Sequence, residues 1–96
     1  MEISIKDIDF SSSNIIDIRS REKYNDKHIP GALNIDYRDL INNHNKYLDH
    51  NKTYYIYCQR GIRSRQVMLV LRRLNYNVIS IMGGYEAYIL GGYDKS

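Results

Sequence analysis

Short runs of β-branched and aromatic residues alternate along this chain with segments of helical spacing, and this alternation restricts the fold more than any other feature. The clearest run spans residues 53–57, where every residue is β-branched or aromatic, as strands prefer. Apolar residues then recur at helical spacing within residues 64–74, at Val67, Val70, Leu71 and Leu74, with Met68 and Leu69 widening the apolar face. The alternation predicts an α/β fold: a central, mainly parallel β-sheet flanked by α-helices, whose ligands bind beyond the carboxyl ends of the strands.

Shorter elements complete this pattern. Strands are predicted over residues 14–18, 32–35 and 78–81, and the first of these is expected to be buried on both faces. Helices are predicted over residues 21–27, from Asp36 through Ile41, and over residues 85–90, with Ser20 and Asp36 as N-caps. Residues 42–52, rich in Asn and His, predict a loop with one further turn, and Gly83 with Gly84 predicts a turn.

The size and composition favour one globular unit. The chain has 96 residues, of which 43% are hydrophobic and 26% charged, and it shows no repeat or linker-like tract. We therefore expect a single domain over residues 1–96. No apolar run approaches the ~20 residues that cross a bilayer, and residues 1–6 lack the layout of a signal peptide. A cytoplasmic protein that does not bind membranes is the expectation.

Cys58, the only cysteine, stands at the carboxyl end of the clearest predicted strand, and the residues after it favour a reactive thiolate. Gly61 allows the loop to turn its N–H groups inward as an anion-binding nest. The helix after the loop adds its positive end, and Arg60 and Arg63 add charge. A lone cysteine is frequently a small buried core residue. Here the loop favours a nucleophile whose cradle also binds an oxyanion or a persulfide.

At this loop the sequence resembles the rhodanese family of sulfurtransferases, whose active loop has the pattern Cys-x-x-Gly-x-Arg/Ser. Further blocks resemble the family in the expected order: Ile-Ile-Asp-Ile-Arg at residues 15–19, Glu-Lys-Tyr at 22–24, His-Ile-Pro-Gly-Ala at 28–32 and Gly-Gly-Tyr-Glu-Ala-Tyr at 83–88. Two residues depart from the family pattern. Lys27 stands where Gly commonly precedes the His-Ile-Pro-Gly-Ala block, and Tyr88 replaces a Trp. These departures concern turn geometry and packing more than the loop chemistry.

The resemblance implies a rhodanese-like domain with sulfurtransferase activity. Cys58 would be the catalytic nucleophile, taking sulfane sulfur from a small donor such as thiosulfate or a persulfide and passing it to a thiol or cyanide-like acceptor. A sulfur-relay protein is a further candidate partner, and the chemistry implies no metal or organic cofactor. The implied substrate-binding residues are Gln59, Arg60, Gly61, Ile62, Arg63 and Ser64. Asp17 and Arg19 are expected to support the loop by hydrogen bonding or an ion pair.

Two other functions remain open. One is a catalytically idle rhodanese-like module that uses the positive cradle to bind a partner. The other is phosphatase or arsenate reductase chemistry, which related proteins of this fold perform with a loop one residue longer. Cys58 and Arg63 enclose only four residues. The shorter loop suits a persulfide sulfur better than a phosphoryl group, which favours sulfur transfer.

The remaining polar and aromatic residues favour structural roles. His28 is expected to make a structural hydrogen bond, and the three histidines with Cys58 show none of the paired spacings of metal ligands, so we expect no metal site. The net charge of +3 is small. The ten tyrosines are explained by strand propensity and packing. We therefore expect no nucleic-acid partner.

Overall fold

The fold is built around one parallel β-sheet in a computed structural model of the chain, which describes residues 1–95. The five strands are β1 (Glu2–Ile3), β2 (Asn14–Asp17), β3 (Leu33–Asn34), β4 (Thr53–Tyr57) and β5 (Asn77–Ile81). Their order across the sheet is β1-β5-β4-β2-β3, and each neighbouring pair runs parallel. The predicted α/β class with a parallel sheet is confirmed.

Helices connect the strands and cover the sheet. They are α1 (Arg21–Asp26), α2 (Tyr37–Asn42), α3 (His44–Tyr47), α4 (Ile62–Arg73) and α5 (Gly84–Leu90), with 3₁₀ turns at Ile5–Asp7 and Tyr93–Lys95. Both predicted N-caps form. Ser20 Oγ accepts the Lys23 N–H at 3.3 Å, and Asp36 Oδ1 accepts the Arg38 N–H at 3.0 Å. Across residues 1–95, no helix combines the length and the apolar character that a bilayer crossing requires.

Two apolar clusters cover opposite faces of the sheet. One joins β2 and β4 to α4 through Ile16, Ile56 and Leu71. The other joins the same strands to α5 through Ile15, Tyr57 and Tyr85. Successive strand residues point to opposite faces, so the alternation of Ile15 with Ile16 fixes which layer each one packs against. Burial of the first predicted strand on both faces is confirmed.

Helix α4 differs from its prediction in both its start and its buried face. It begins at Ile62 rather than at residue 64, because Gly61 adopts a left-handed conformation (φ 93°) that lets the helix start at the next residue. Its buried residues are Ser64, Val67, Met68 and Leu71. The predicted apolar face also included Leu69, Val70 and Leu74. These three side chains are exposed, so that part of the prediction is wrong.

Other differences occur where the local signal is weak. The strand predicted over residues 32–35 is reduced to Leu33–Asn34, which pairs with β2 alone at the edge of the sheet. The one further turn predicted within residues 42–52 is confirmed, and it forms the short helix His44–Tyr47. Glu2–Ile3 pairs with β5 although no element was predicted there, because two residues carry no periodic pattern.

The topology places the end of β4 at the middle of one sheet edge. β4 lies between β5 and β2, and Cys58 follows its last residue directly. Ile18 and Cys58 leave their strands side by side, with the Ile18 N–H donating to the Tyr57 carbonyl at 3.0 Å. The segments that follow the carboxyl ends of β4 and β2 therefore surround Cys58.

Candidate active site

The loop after β4 turns two main-chain N–H groups toward the Cys58 sulfur. The N–H of Gly61 donates to Sγ at 3.2 Å and the N–H of Ser64 at 3.3 Å. This is the inward orientation of amides that the sequence predicts. Cys58 is only 7% exposed, yet it lines an open pocket of about 420 Å³. The sulfur is thus held by two main-chain donors, and Cys58 forms part of the wall of the pocket.

Gly61 gives the loop its shape. Its φ of 93° lies in the left-handed region, which residues with a Cβ adopt only at a cost. A Cβ at this position would also stand 2.8 Å from the backbone nitrogen of Gly83. Both observations require glycine here, and the conformation is what brings the Gly61 N–H onto the sulfur.

The start of α5 holds the first part of the same loop. The N–H groups of Tyr85 and Glu86 donate to the carbonyls of Cys58 and Gln59, at 2.9 and 3.0 Å. Gly84 lies against the Cys58 carbonyl so closely that a Cβ would overlap its oxygen. In the sequence, Gly83 and Gly84 predict a turn and belong to the Gly-Gly block at residues 83–88. Their further role is to let the helix approach the loop backbone, and the Gly-Gly pair just before a helical segment was the available signal.

A buried pair of hydroxyls lies beneath the sulfur. Ser64 Oγ is 3.6 Å from Cys58 Sγ, and it donates to the Gly61 carbonyl at 3.3 Å. Ser80 Oγ lies 2.7 Å from Ser64 Oγ, and both serines are fully buried. Ser80 was not singled out in the sequence. A serine inside the apolar strand β5 was the only sign that its hydroxyl has a partner.

Asp17 and Arg19 form a buried ion pair at the end of β2. Arg19 Nη2 and the Tyr57 hydroxyl both donate to Asp17 Oδ2, at 2.8 and 2.7 Å. Arg19 Nη1 continues the network to Gln59 Oε1 at 3.0 Å. The ion pair therefore reaches the Cys58 loop through one side-chain hydrogen bond.

The buried surroundings of Arg19 and Tyr57 fix the charge states of these two side chains. Burial lowers the pKa of Arg19, but the hydrogen bond and charge of Asp17 outweigh it, so the net pKa is raised. Burial raises the pKa of Tyr57 far above its ordinary value, and the Asp17 carboxylate adds to the shift. Both groups keep their protons near neutral pH and remain donors to Asp17.

The loop arginines lie at the rim of the pocket. Arg60 and Arg63 both line it, together with Gln59 and Ile62. Arg60 Nε pairs with Glu86 Oε2 at 3.1 Å in an exposed ion pair. The Arg63 guanidinium carbon lies 4.1 Å from the centroid of the Tyr37 ring. The positive charge expected near the nucleophile is therefore concentrated at the mouth of the pocket rather than against the sulfur.

Residues outside the loop also reach this pocket. Tyr37 and Arg38 of α2 line it, as do Ser20 and Lys23 at the start of α1 and Asp36 before α2. No local pattern in the sequence indicates that these side chains belong to the site. Only the tertiary arrangement, in which α1 and α2 begin at the carboxyl edge of the sheet, brings them to Cys58.

The two departures from the resemblance have local explanations. Lys27 adopts an extended conformation (φ −156°), which needs no glycine, and its carbonyl accepts from Arg19 Nη2 at 2.6 Å. Tyr88 is buried and packs against Phe10 at an edge-to-face centroid distance of 5.8 Å. The tyrosine thus fills the position with an aromatic ring.

The histidines lie away from the sulfur. His28 Nδ1 is 2.8 Å from the Tyr24 carbonyl and its ring stacks on Tyr24, so its predicted structural hydrogen bond is confirmed. His44 and His50 both contact Tyr76. Among residues 1–95, no group of three or more His, Cys, Asp or Glu side chains is arranged to hold a metal ion.

The proteins to which this chain is similar in sequence include two that are named sulfurtransferases. A tRNA sulfurtransferase from Thermoplasma acidophilum is 41% identical over 58 residues, which make up 60% of this chain but only 11% of that protein. The thiosulfate sulfurtransferase PspE of Escherichia coli is 30% identical over 78 residues, covering 80% of this chain and 75% of that one. The chain therefore corresponds to most of a small sulfurtransferase and to a small part of a larger one.

A solved structure and a sequence model of a protein family match the chain as well. A crystal structure of a rhodanese-related protein from Thermoplasma volcanium superimposes with a TM-score of 0.86 at 25% identity, over 95% of this chain and 92% of that chain. The model of the rhodanese-like domain matches residues 4–90. The chain belongs to the rhodanese-like family.

Proposed function

We propose that this protein is a sulfurtransferase that carries sulfane sulfur as a persulfide on Cys58. The observation that carries the proposal is the pair of N–H groups, from Gly61 and Ser64, that donate to Sγ at 3.2 and 3.3 Å. Such donors stabilise a negative charge on sulfur. The similarity to proteins named tRNA sulfurtransferase and thiosulfate sulfurtransferase supports the same chemistry.

The first half-reaction loads the cysteine. The Cys58 thiolate attacks the outer sulfur of thiosulfate, a new S–S bond forms, and sulfite leaves with the electron pair of the broken S–S bond. The negative charge moves from Sγ to the outer sulfur of the persulfide. The loop amides and the positive end of α4 offset that charge where it develops. The arginines at the pocket mouth, Arg60 and Arg63, attract the anionic donor.

The second half-reaction transfers the outer sulfur from Cys58 to an acceptor. An acceptor thiolate attacks the outer sulfur, the Cys58 S–S bond breaks, and its electron pair restores the Cys58 thiolate. Because the donor product leaves before the acceptor reacts, the kinetics are ping-pong. The cysteine itself forms the covalent intermediate, so these steps call on no organic cofactor. A protein-borne thiol in a sulfur relay is an acceptor of the same chemistry.

The buried hydrogen bonds at the end of β2 position the loop that follows Cys58. Asp17 fixes the Arg19 guanidinium, and Arg19 holds the Gln59 side chain at 3.0 Å. Gln59 is the first residue after the nucleophile, so its placement influences the pocket wall beside Cys58. Asp17 and Arg19 are thus positioning residues in this proposal and take no part in bond making.

Sulfite release from thiosulfate tests the proposal. The reduced protein is incubated with thiosulfate and a thiol acceptor, and parallel plots of reciprocal rate at several acceptor concentrations are expected. Cys58→Ser should abolish turnover. Rhodanese-like binding without catalysis would instead give no turnover in either protein with any sulfane donor. Hydrolysis of an aryl phosphate that Cys58→Ser abolishes, without sulfite release, would favour phosphatase chemistry.

A further inference from the structure

The ring of Tyr85 covers one face of the Arg19 guanidinium group. Arg19 Cζ lies over this ring at 4.4 Å from its centroid, closer than its 5.6 Å to the centroid of the Tyr57 ring. Tyr85 and Arg19 are both buried. At this distance the contact combines cation–π attraction with exclusion of water from the guanidinium face. Tyr85 is therefore a partner of Arg19 in addition to the hydrogen bonds described above.

Hydrogen bonds occupy the edge of the same guanidinium group. Nε and Nη2 donate to Asp17, Nη2 also donates to the Lys27 carbonyl at 2.6 Å, and Nη1 donates to Gln59 Oε1 at 3.0 Å. The bond to Gln59 reaches the loop of the nucleophile, and it is only partly buried. Arg19, Gln59 and Tyr85 line one surface pocket. Because hydrogen bonds are stronger where water is excluded, the Tyr85 ring stabilises the bond to Gln59 from this side.

The main chain of Tyr85 reaches the same loop by a second route. Its N–H donates to the Cys58 carbonyl at 2.9 Å. One residue thus holds two successive loop positions, Cys58 through its main chain and Gln59 through the guanidinium group that its ring covers. The next residues of the loop include Gly61 and Ser64, whose N–H groups donate to Sγ. A displacement of Gln59 would therefore move these amides relative to the sulfur.

We propose that Tyr85 is a positioning residue for the nucleophile Cys58. Its ring fixes Arg19, Arg19 fixes Gln59, and the loop amides therefore stay on the sulfur. This inference rests on the proposed sulfur transfer, in which the thiolate that these amides stabilise attacks the donor. The ring carries this role rather than the hydroxyl. Burial raises the pKa of Tyr85, so its phenol stays neutral, and within residues 1–95 the hydroxyl forms no hydrogen bond.

The pH profile of Cys58 alkylation by iodoacetamide tests this positioning without any sulfur donor. The midpoint of the profile reports how strongly the loop stabilises the thiolate, and the plateau at high pH reports access of the reagent. Tyr85→Leu should move the midpoint upward and slow alkylation below it by about 2- to 10-fold, the effect of one hydrogen bond. Tyr85→Phe keeps the ring and should retain the wild-type midpoint. An unchanged midpoint in Tyr85→Leu would overturn the proposal.

Tyr88→Leu is the matched control. Tyr88 lies on the same helix and is 7% exposed, against 8% for Tyr85, but its ring packs against Phe10, Tyr85 and Tyr93 rather than against Arg19. The control therefore loses a comparable buried ring without uncovering the guanidinium group, and its midpoint should match that of the wild-type protein. Equal shifts in the two variants would trace the effect to general loosening of α5, which would overturn the proposal.

Gln59→Ala tests the same path at a half-buried side chain, so it remains informative if Tyr85→Leu does not fold. It should raise the midpoint, and the double variant with Tyr85→Leu should shift no further than the larger single shift. An unchanged midpoint in Gln59→Ala, or additive shifts, would overturn the proposal.

Sulfite release from thiosulfate then tests the effect on turnover. Tyr85→Leu should lower kcat/KM in proportion to the thiolate fraction that the alkylation profile gives, and Tyr88→Leu should leave kcat/KM nearly unchanged. An unchanged kcat/KM in Tyr85→Leu despite a raised midpoint would overturn the part of the proposal that concerns turnover. If no Cys58 persulfide forms with any donor, the proposed function fails, and the alkylation profiles still decide whether Tyr85 positions the nucleophile.

Discussion

The backbone of Gly84 packs directly on the carbonyl oxygen of Cys58, with no room for a side chain between them. The next residue, Tyr85, donates its N–H to the same oxygen at 2.9 Å. The start of α5 and the loop of the nucleophile are therefore one packed unit, although Gly84 lies 26 positions after Cys58 in the sequence. The Gly83–Gly84 pair and Gly61 meet at this contact.

Replacement of Gly84 by alanine should destabilise the protein by roughly 2–4 kcal/mol, because a Cβ adds both backbone strain and overlap with the Cys58 carbonyl. Gly92→Ala is the matched control. Gly92 has a similar left-handed φ of 76°, but a Cβ there would meet nothing within 4 Å, so it reports strain alone. Urea unfolding measures both free energies. Equal losses in the two variants would show that the Cys58 contact is unimportant.

Tyr57→Phe should lower the free energy of unfolding by about 1–3 kcal/mol, the usual cost of unpairing buried polar groups. Its hydroxyl donates to Asp17 Oδ2 at 2.7 Å and accepts the Ile29 N–H at 3.0 Å, so the variant leaves both partners short of a bond. Tyr55→Phe on the same strand is the control and should be nearly neutral. Thermal and urea unfolding check this, and a neutral Tyr57→Phe would contradict the network.

Arg19→Met should cost about 3–5 kcal/mol of stability, because it leaves the fully buried Asp17 carboxylate without its counter-ion. The variant keeps an unbranched side chain but removes the guanidinium group. Arg60→Met removes an exposed ion pair with Glu86 and should leave the free energy of unfolding nearly unchanged. Chemical unfolding of the two variants gives the comparison. If Arg60→Met lowered the free energy of unfolding as much as Arg19→Met, burial of the ion pair would not explain its contribution to stability.

The two buried serines should influence the reactivity of the thiol. Ser64→Ala removes the hydroxyl oxygen that accepts the Cys58 S–H at 3.6 Å, a bond that favours the neutral thiol, so the variant should speed alkylation of Cys58 at neutral pH by about 2- to 10-fold, the effect of one hydrogen bond. Ser80→Ala should have a smaller effect of the same sign. Because Ser80 acts through Ser64 at 2.7 Å, the double variant should react like Ser64→Ala alone. Additive effects would show that the hydroxyls act separately.

Local sequence signals predicted the core of the site. The β-branched and aromatic run at residues 53–57 is strand β4, and it delivers Cys58 to the carboxyl edge of the sheet. The glycine in the next segment predicted amides turned inward, and Gly61 has the conformation that turns them. These features depend on near neighbours in the chain, which is why propensity and spacing identify them.

Tertiary contacts determine what the sequence did not predict. The close approach of Gly61 to Gly83 is a tertiary contact, and α4 begins at Ile62 rather than at the predicted residue 64. Ser80 reaches the site only because β5 lies beside the loop, and Tyr37 and Arg38 reach it only because α2 does. No pattern in the chain relates these residues to Cys58, because the sheet order that joins them is itself a property of the fold.

The most direct test of persulfide formation on Cys58 is the intact mass of the reduced protein after treatment with thiosulfate. We predict a gain of one sulfur atom, located on the peptide that contains Cys58, absent from Cys58→Ser, and reversed by dithiothreitol. Reversal by dithiothreitol distinguishes added sulfur from oxidation of methionine. No sulfur adduct with thiosulfate or with an organic persulfide, or an adduct that persists in Cys58→Ser, would contradict the account.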